Sequence, residues 1–199
     1  MARRAGIDRG SLRALAEAGA LAGLGGHRRQ AWWQVLGIEA HGPLLASAPS
    51  REPSPELPAP SEGEDLIGDY CGLGLSLGRH PLALLRRQLR ARGFRPATEL
   101  AGTGHRRIAR AAGLVVNRQR PGAAGGVTFL TLEDETGNVN VVIWRDLADR
   151  QRPTVIGSRL LGVVGIWETR GEVCHLIAGR LEDHTRLLGE LPTRSRDFR

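Results

Sequence analysis

Lysine is missing altogether: each of the 28 cationic side chains is arginine. Cysteine is nearly missing too. Cys71 and Cys174 stand far apart in the chain, with no CxxC and no Cys/His array, which argues against a disulfide framework and against structural zinc. No apolar run reaches the ~18 to 20 residues of a membrane span, and the start Met1-Ala2-Arg3-Arg4 lacks the apolar core of a signal peptide. The expected location is therefore the cytoplasm, with no membrane partner. Neither a Ser/His/Asp arrangement, a P-loop nor a Rossmann glycine pattern occurs, so no catalytic residue is named. At ~150 residues per domain, 199 residues exclude a large multi-domain enzyme.

What is present is an ordinary globular composition, 41% hydrophobic and 25% charged, with 27 Gly and 11 Pro that signal turns and a linker. The net charge is +7 and consists only of guanidinium, the cation that stacks on bases and grips phosphate with a planar fork. That fits a polyanionic partner. The plain alternative is a solvated arginine-rich surface, and a genomic composition bias accounts for part of the missing lysine.

The chain divides by composition. Residues 1–42 carry 6 Arg against 3 acids, and Leu12, Leu15, Leu21 and Leu24, then Trp32, Val35 and Leu36, predict two short helices, the first capped by Asp8 or Ser11. Glycines 19, 23, 25 and 26 between them suit a helix-turn-helix or helix-hairpin-helix connection. Residues 43–63 hold six prolines and a net charge of −2, the composition of an extended linker. Residues 64–103 are expected to form a helical connector: Glu64 to Tyr70 is one short helix, and Pro81 opens a better one that ends at Gly93. On that second helix Leu82, Leu85 and Leu89 line one side and Arg86, Arg87, Arg90 and Arg92 the other, either as a solvated face or against phosphate.

From residue 104 to 185 the period changes to that of strands. Five β-branched runs, separated by turn signals and with a short helix near Asp146 to Arg150 after the third, predict a five-stranded Greek-key barrel of OB type. Gly162 and Gly165 would let the fourth strand coil. The fold class is thus α+β: a helical hairpin segment and a helical connector, then the barrel. Residues 186–199 form a tail expected to be a short helix or loop.

A small OB barrel binds single strands with cations along the backbone and side chains on which bases stack. Strand alternation buries Leu130, Leu132, Val139, Val141 and Ile143, which leaves Phe129, Thr131, Asn140 and Trp144 outside, beside Arg118 and Arg120. Phe129 is then a stacking platform, Asn140 a hydrogen-bonding group for a base edge, and the arginines phosphate contacts. The competing readings stay open: Phe129 and Trp144 as closures of the barrel ends, Arg118 and Arg120 as solvated loop charges. Glu133-Asp134-Glu135 are read as turn-capping and solvating groups, because no second carboxylate cluster completes a two-metal site. His175 points away from Cys174 along its strand, so the two are not paired on a metal. The barrel's 11 Arg and 9 acids leave only +2, which predicts weak, salt-sensitive binding.

The run GLVVNRQRPGAAGGVTFLTLEDETGNVNVVIWRDL, from Gly113 to Leu147, resembles the OB domain near the carboxyl end of bacterial C-family DNA polymerases of the alpha-subunit type, and within them the error-prone, translesion branch. GLSLGRHPLALLR (Gly74 to Arg86) is similar to the segment before that domain, RRQAWWQV (Arg28 to Val35) to the end of the tandem helix-hairpin-helix region, and SRDFR to the family's terminus. The resemblance covers nearly the whole chain but only the last fifth of a family member. It implies a DNA-binding fragment that prefers single-stranded template and takes part in damage-induced synthesis. The PHP domain and the palm that holds two Mg2+ ions lie upstream in the family, so no polymerase activity and no cofactor are expected of this chain alone, and Met1 is expected to be an internal start of a split or mis-assigned gene. Implied partners are DNA, a separate catalytic part and mutasome accessory proteins. A protein-docking module and an inert remnant are the alternatives. Two departures stand out. Leu24-Gly25-Gly26-His27 lacks the family's large apolar residue and Asp at its last two positions, which puts the capping of the second helix in question. Pro43-Leu44-Leu45-Ala46 lacks the Gln and Phe of a sliding-clamp peptide, so direct clamp binding is not inherited.

Overall fold

A computed structural model of the chain describes residues 6–38, 55–76, 78–122, 125–171 and 173–191 and the backbone of 196–198. It divides into two units, Met1–Leu77 and Gly78–Arg199.

In the first unit, Asp8 rather than Ser11 begins helix α1 (Arg9–Glu17): its carboxylate accepts the Ser11 amide at 3.0 Å, satisfying one of the free N–H groups of the first turn. The short α2 (Ala22–Gly25) and α3 (Arg28–Leu36) follow, and Leu12, Ala16 and Val35 pack together between them. His27 caps α3 in place of the family's Asp, its Nδ1 accepting the Gln30 amide at 3.2 Å. An unprotonated ring nitrogen supplies the acceptor that a carboxylate oxygen would have supplied. Helix α4 (Glu62–Gly72) starts earlier than Glu64 because Ser61 and Glu64 form a capping box, with the Ser61 amide bonded to Glu64 at 2.7 Å.

The expected connector 64–103 is divided between the units. Arg28 on α3 holds α4 through the Asp69 carboxylate and the Asp65 carbonyl, so α4 belongs with the hairpin. Burial and the Ser76 and Arg28 hydrogen bonds pull on the Asp69 carboxyl in opposite directions, and the hydrogen bonds win, holding it below the usual range. Nor is the end of the proline-rich stretch a free linker. Gln30 donates to the Pro55 carbonyl at 2.9 Å and accepts the Leu57 amide at 2.9 Å, and Arg29 donates to the Pro58 carbonyl. Residues 43–54, including the position compared with a clamp peptide, lie outside the described residues.

The second unit opens with α5 (Pro81–Ala91), where the His80 ring accepts the Leu82 amide and Pro81 occupies the first helical position. Leu82 and Leu89 are fully buried. The arginine face is not uniformly solvated: Arg86 runs inward to Glu135 (2.5 Å) and Asp134 (3.1 Å). Burial alone would lower the Arg86 pKa, but Glu135 and Asp134 outweigh it and hold the guanidinium above its ordinary value. A short α6 (Ala97–Leu100) leads into the barrel.

The strands are β1 (Arg107–Gln119), β2 (Thr128–Asp134), β3 (Gly137–Ile143), β4 (Leu160–Arg170) and β5 (Val173–Asp183), with α7 (Arg145–Arg150) and α8 (Arg152–Gly157) between β3 and β4. Neighbours run β2-β3-β5-β4-β1, and β1 closes the barrel by pairing with β2. Among these five strands all pairs are antiparallel except β3–β5. Long β1 serves both neighbours, meeting β4 over Arg107 to Leu114 and β2 over Leu114 to Gln119, and shifts register between Val115 and Asn117. Gly165 permits the irregular β4–β5 pairing, since a Cβ there would stand 2.0 Å from the Ile177 carbonyl oxygen. Gly162 answers a different need: a Cβ would collide with Phe94 and His184, whose rings meet edge to face at 5.2 Å outside the sheet.

The tail departs from the expected helix or loop. After a 3-10 turn (Thr185–Leu188), Arg196–Phe198 form β6, parallel to β1 at Asn117 to Gln119. Beyond Leu114 that edge of β1 is no longer covered by β4, and β6 takes up its free backbone groups.

Candidate nucleic-acid interface

The site begins with alternation. Leu130, Leu132, Val139, Val141 and Ile143 fill the barrel core, which turns Phe129, Thr131, Asn140, Val142 and Trp144 to the outer surface of β2, β3 and the residue after β3. Phe129 is paired across the strands with Val142, and Thr131 with Asn140. Trp144 lies two residues beyond Val142, diagonal to Phe129 and within reach of a large ring. The two rings are 37% and 57% exposed, so neither closes the barrel interior.

A cationic edge borders them. A Cβ on Gly126 in the β1–β2 loop would meet Arg145 at 3.1 Å and Arg120 at 3.4 Å, which places both guanidinium-bearing chains around that glycine. Both reach Asp149, at 3.5 and 3.4 Å, with side chains 69% and 48% exposed. Exposed pairs of this kind contribute little to stability and can be exchanged for phosphate at small cost.

Arg118 does not join this edge. It is paired with Leu130, hence on the core side of β1, and donates to the Val155 carbonyl at 2.9 Å and to that of Ser158. It finishes the carbonyls at the end of α8, a role in which a guanidinium suits the negative end of a helix. The sequence misled here because the register shift between Val115 and Asn117 changes which residues of β1 face outward.

The β2–β3 turn that sets the register of the site is rigidly held. Asp134 accepts the amides of Thr136 (2.7 Å) and Gly137 (3.1 Å) and, from α6, that of Ala97 (2.8 Å). Glu135 is held below the usual carboxylate range, its burial more than offset by Arg86. These acids cap the turn as expected, but two of the three are ion-paired to α5 rather than solvated. Among the described residues, no group of three or more His, Cys, Asp or Glu side chains is placed to hold a metal ion. No helix among them is long and apolar enough to cross a membrane.

Residues 109–183 match the family described as OB-fold nucleic acid binding domain. Over its whole length the chain is 62% identical to an error-prone DNA polymerase of Alkalilimnicola ehrlichii, and 56% identical to those of Pseudomonas fluorescens and Pseudomonas aeruginosa. The chain is a homologue of the carboxyl-terminal part of error-prone DNA polymerases. It spans 19% of the length of these relatives.

Within this chain the barrel brings together Phe129, Thr131, Asn140 and Trp144, with Arg120 at the edge. Arg145 was missed by sequence reasoning, although its position directly after Trp144 was a signal. Val142 was also missed. It stands outside the core, yet only 9% of it is exposed, between Phe129 on β2 and Ile177 on β5. The β3–β5 pairing that brings Ile177 there joins segments far apart in sequence.

Proposed function

We propose that this chain is the DNA-binding portion of an error-prone polymerase, whose barrel holds single-stranded template during damage-induced translesion synthesis. The observation that carries this reading is the pair of exposed rings, Phe129 and Trp144, set diagonally on β2–β3 beside Arg120 and Arg145. Two rings offer platforms for successive bases, a face that every base has, while Thr131 and Asn140 offer hydrogen bonds to base edges. The cations give affinity without sequence preference. A single strand can splay its bases onto such a surface, whereas a duplex keeps its bases stacked inside. Polymerisation itself would belong to the other four-fifths of the longer relatives, and the chain alone is expected to leave a primer unextended.

The test is fluorescence anisotropy of a labelled oligothymidine and of a duplex of equal length, over a range of salt. The reading expects tighter binding of the single strand and steep loss with salt. Phe129→Ala and Trp144→Ala should each cost about 1–3 kcal/mol, or roughly 5- to 150-fold in affinity. Equal binding of both forms, or rings that can be removed without loss, would overturn it. Retention on accessory proteins at high salt without oligonucleotide binding would instead support a protein-docking role.

A further inference from the structure

We infer that the nucleic-acid surface continues past β3 onto β5 and β4, and that His175 contacts a base there. This rests on the single-strand reading above and extends it to strands that reading does not use.

The argument is one of register. Side chains paired across neighbouring strands share a face, so the outer residues of the barrel fall into rows that run from strand to strand. Starting at Phe129, the pairings give Val142, then Ile177, then Ile166, then Ile108: one apolar row over β2, β3, β5, β4 and β1. Beside it the row from Thr131 passes through Asn140 to His175 and Glu168. The partner of Asn140 follows from the parallel pairing of Val141 with Leu176. A surface that stacks bases on one row and reads their edges on the other is therefore not confined to two strands. At about 4.8 Å between strands, the four from β2 to β4 span roughly 14 Å.

His175 is the group on this extension able to discriminate. Its neighbours Cys174 and Leu176 turn into the core, which sends the imidazole outward. The imidazole is half-buried; its Nδ1, closed to solvent, has no hydrogen-bond partner among the described residues, and a base would meet it once the ring turns about its Cβ–Cγ bond. The carboxylate across the strands, Glu168, favours a hydrogen-bonding ligand over a phosphate at this position, because it repels the backbone's charge. Beyond it the apolar row consists of isoleucines, which give area without a preference among bases. Ile166 and Ile108 are 38% and 74% exposed.

The experiment compares His175→Ala, His175→Gln and Phe129→Ala with the parent chain, using oligothymidine, oligocytidine and oligoadenosine, each titrated at several salt concentrations. Removing an interaction with a base changes affinity without altering the slope of log K against log salt, whereas removing one cation from the phosphates of a single strand lowers that slope by about 0.7. The inference expects His175→Ala to weaken binding about 5- to 20-fold with an unchanged salt slope and to compress the differences among the three oligonucleotides, with part of the loss restored by His175→Gln. A slope reduced by about 0.7 would mean that His175 meets phosphate and would overturn the assignment, as would an affinity within twofold of the parent. If Phe129→Ala weakens binding while His175→Ala does not, the extension fails and the β2–β3 reading stands. If neither variant matters, the β2–β3 reading itself fails. Far-UV circular dichroism of each variant confirms that the barrel is intact.

Discussion

Replacing Arg86 by methionine should strip the β2–β3 turn of its main tie to α5. Methionine keeps most of the aliphatic stem and removes the guanidinium, both its charge and its donors to Glu135 and Asp134. The Arg86 side chain is 12% exposed, Asp134 4% and Glu135 17%, so the substitution leaves two carboxylates in a largely dry site. Removing one partner of a buried ion pair costs about 3–5 kcal/mol when the other is left uncompensated. Asp134 is compensated, because it still accepts the amides of Thr136, Gly137 and Ala97. Glu135 loses its partner and is the charge left stranded, although its place at the turn lets water relieve part of the cost. The loss should therefore fall toward about 2–3 kcal/mol, which for a unit of this size lowers Tm by roughly 8–12 °C. Urea unfolding followed by far-UV circular dichroism measures it directly.

A second substitution separates this mechanism from general damage to the helix. Glu135→Gln in the Arg86→Met background removes the stranded charge, so the double variant should recover about 1 kcal/mol relative to Arg86→Met alone, although Glu135→Gln by itself destabilises the parent. Arg86→Met within about 0.5 kcal/mol of the parent, or a double variant no better than the single, would refute the reasoning.

Acid should weaken the second unit before its carboxylates titrate. Burial holds both His80 and His184 below the ordinary histidine value, outweighing for His80 the pull of Glu133, Glu135 and Asp134, and for His184 that of Glu182 and Asp183. The unfolded chain thus takes up protons near pH 6.5 while the folded chain resists, and stability falls as pH drops below that value. Denaturation midpoints at pH 7.5 and 5.5 should show the decline, and His80→Asn, which keeps a capping acceptor, should reduce it. Gly165→Ala should destabilise by about 2 kcal/mol or more, since its Cβ would fall on the Ile177 carbonyl, whereas Gly157→Ala, with nothing nearby, should lie within about 1 kcal/mol of the parent in thermal melts. Gln30→Ala should cost about 1–3 kcal/mol and open residues 55–60 to proteolysis, because the Leu57 amide and the Pro55 carbonyl lose their partner together; an unchanged cleavage pattern would show that other contacts hold the segment.

The parts of this fold that were legible in the sequence are those decided within a few residues. Alternation in TFLTLED and GNVNVVI assigned the buried and outward faces of β2 and β3, so Phe129, Thr131, Asn140 and Trp144 could be placed together before any coordinates. Pro81 and Gly93 marked the ends of α5 for equally local reasons. What escaped depends on partners distant in the chain. Arg86 looked like one member of a basic helical face, because nothing near it in sequence announces Asp134 and Glu135; the ion pair exists only once α5 and the β2–β3 turn meet. Arg118 was misplaced for a subtler reason: a single register shift in β1 inverts the outward set beyond it, and no composition signal marks the shift. The last case bears on function. The β3–β5 pairing is parallel and joins segments separated by α7, α8 and β4, so the row from Asn140 to His175 could not be read from either strand alone. Sequence periodicity finds the outward faces of two strands; the topology determines which residues of the other strands continue their rows.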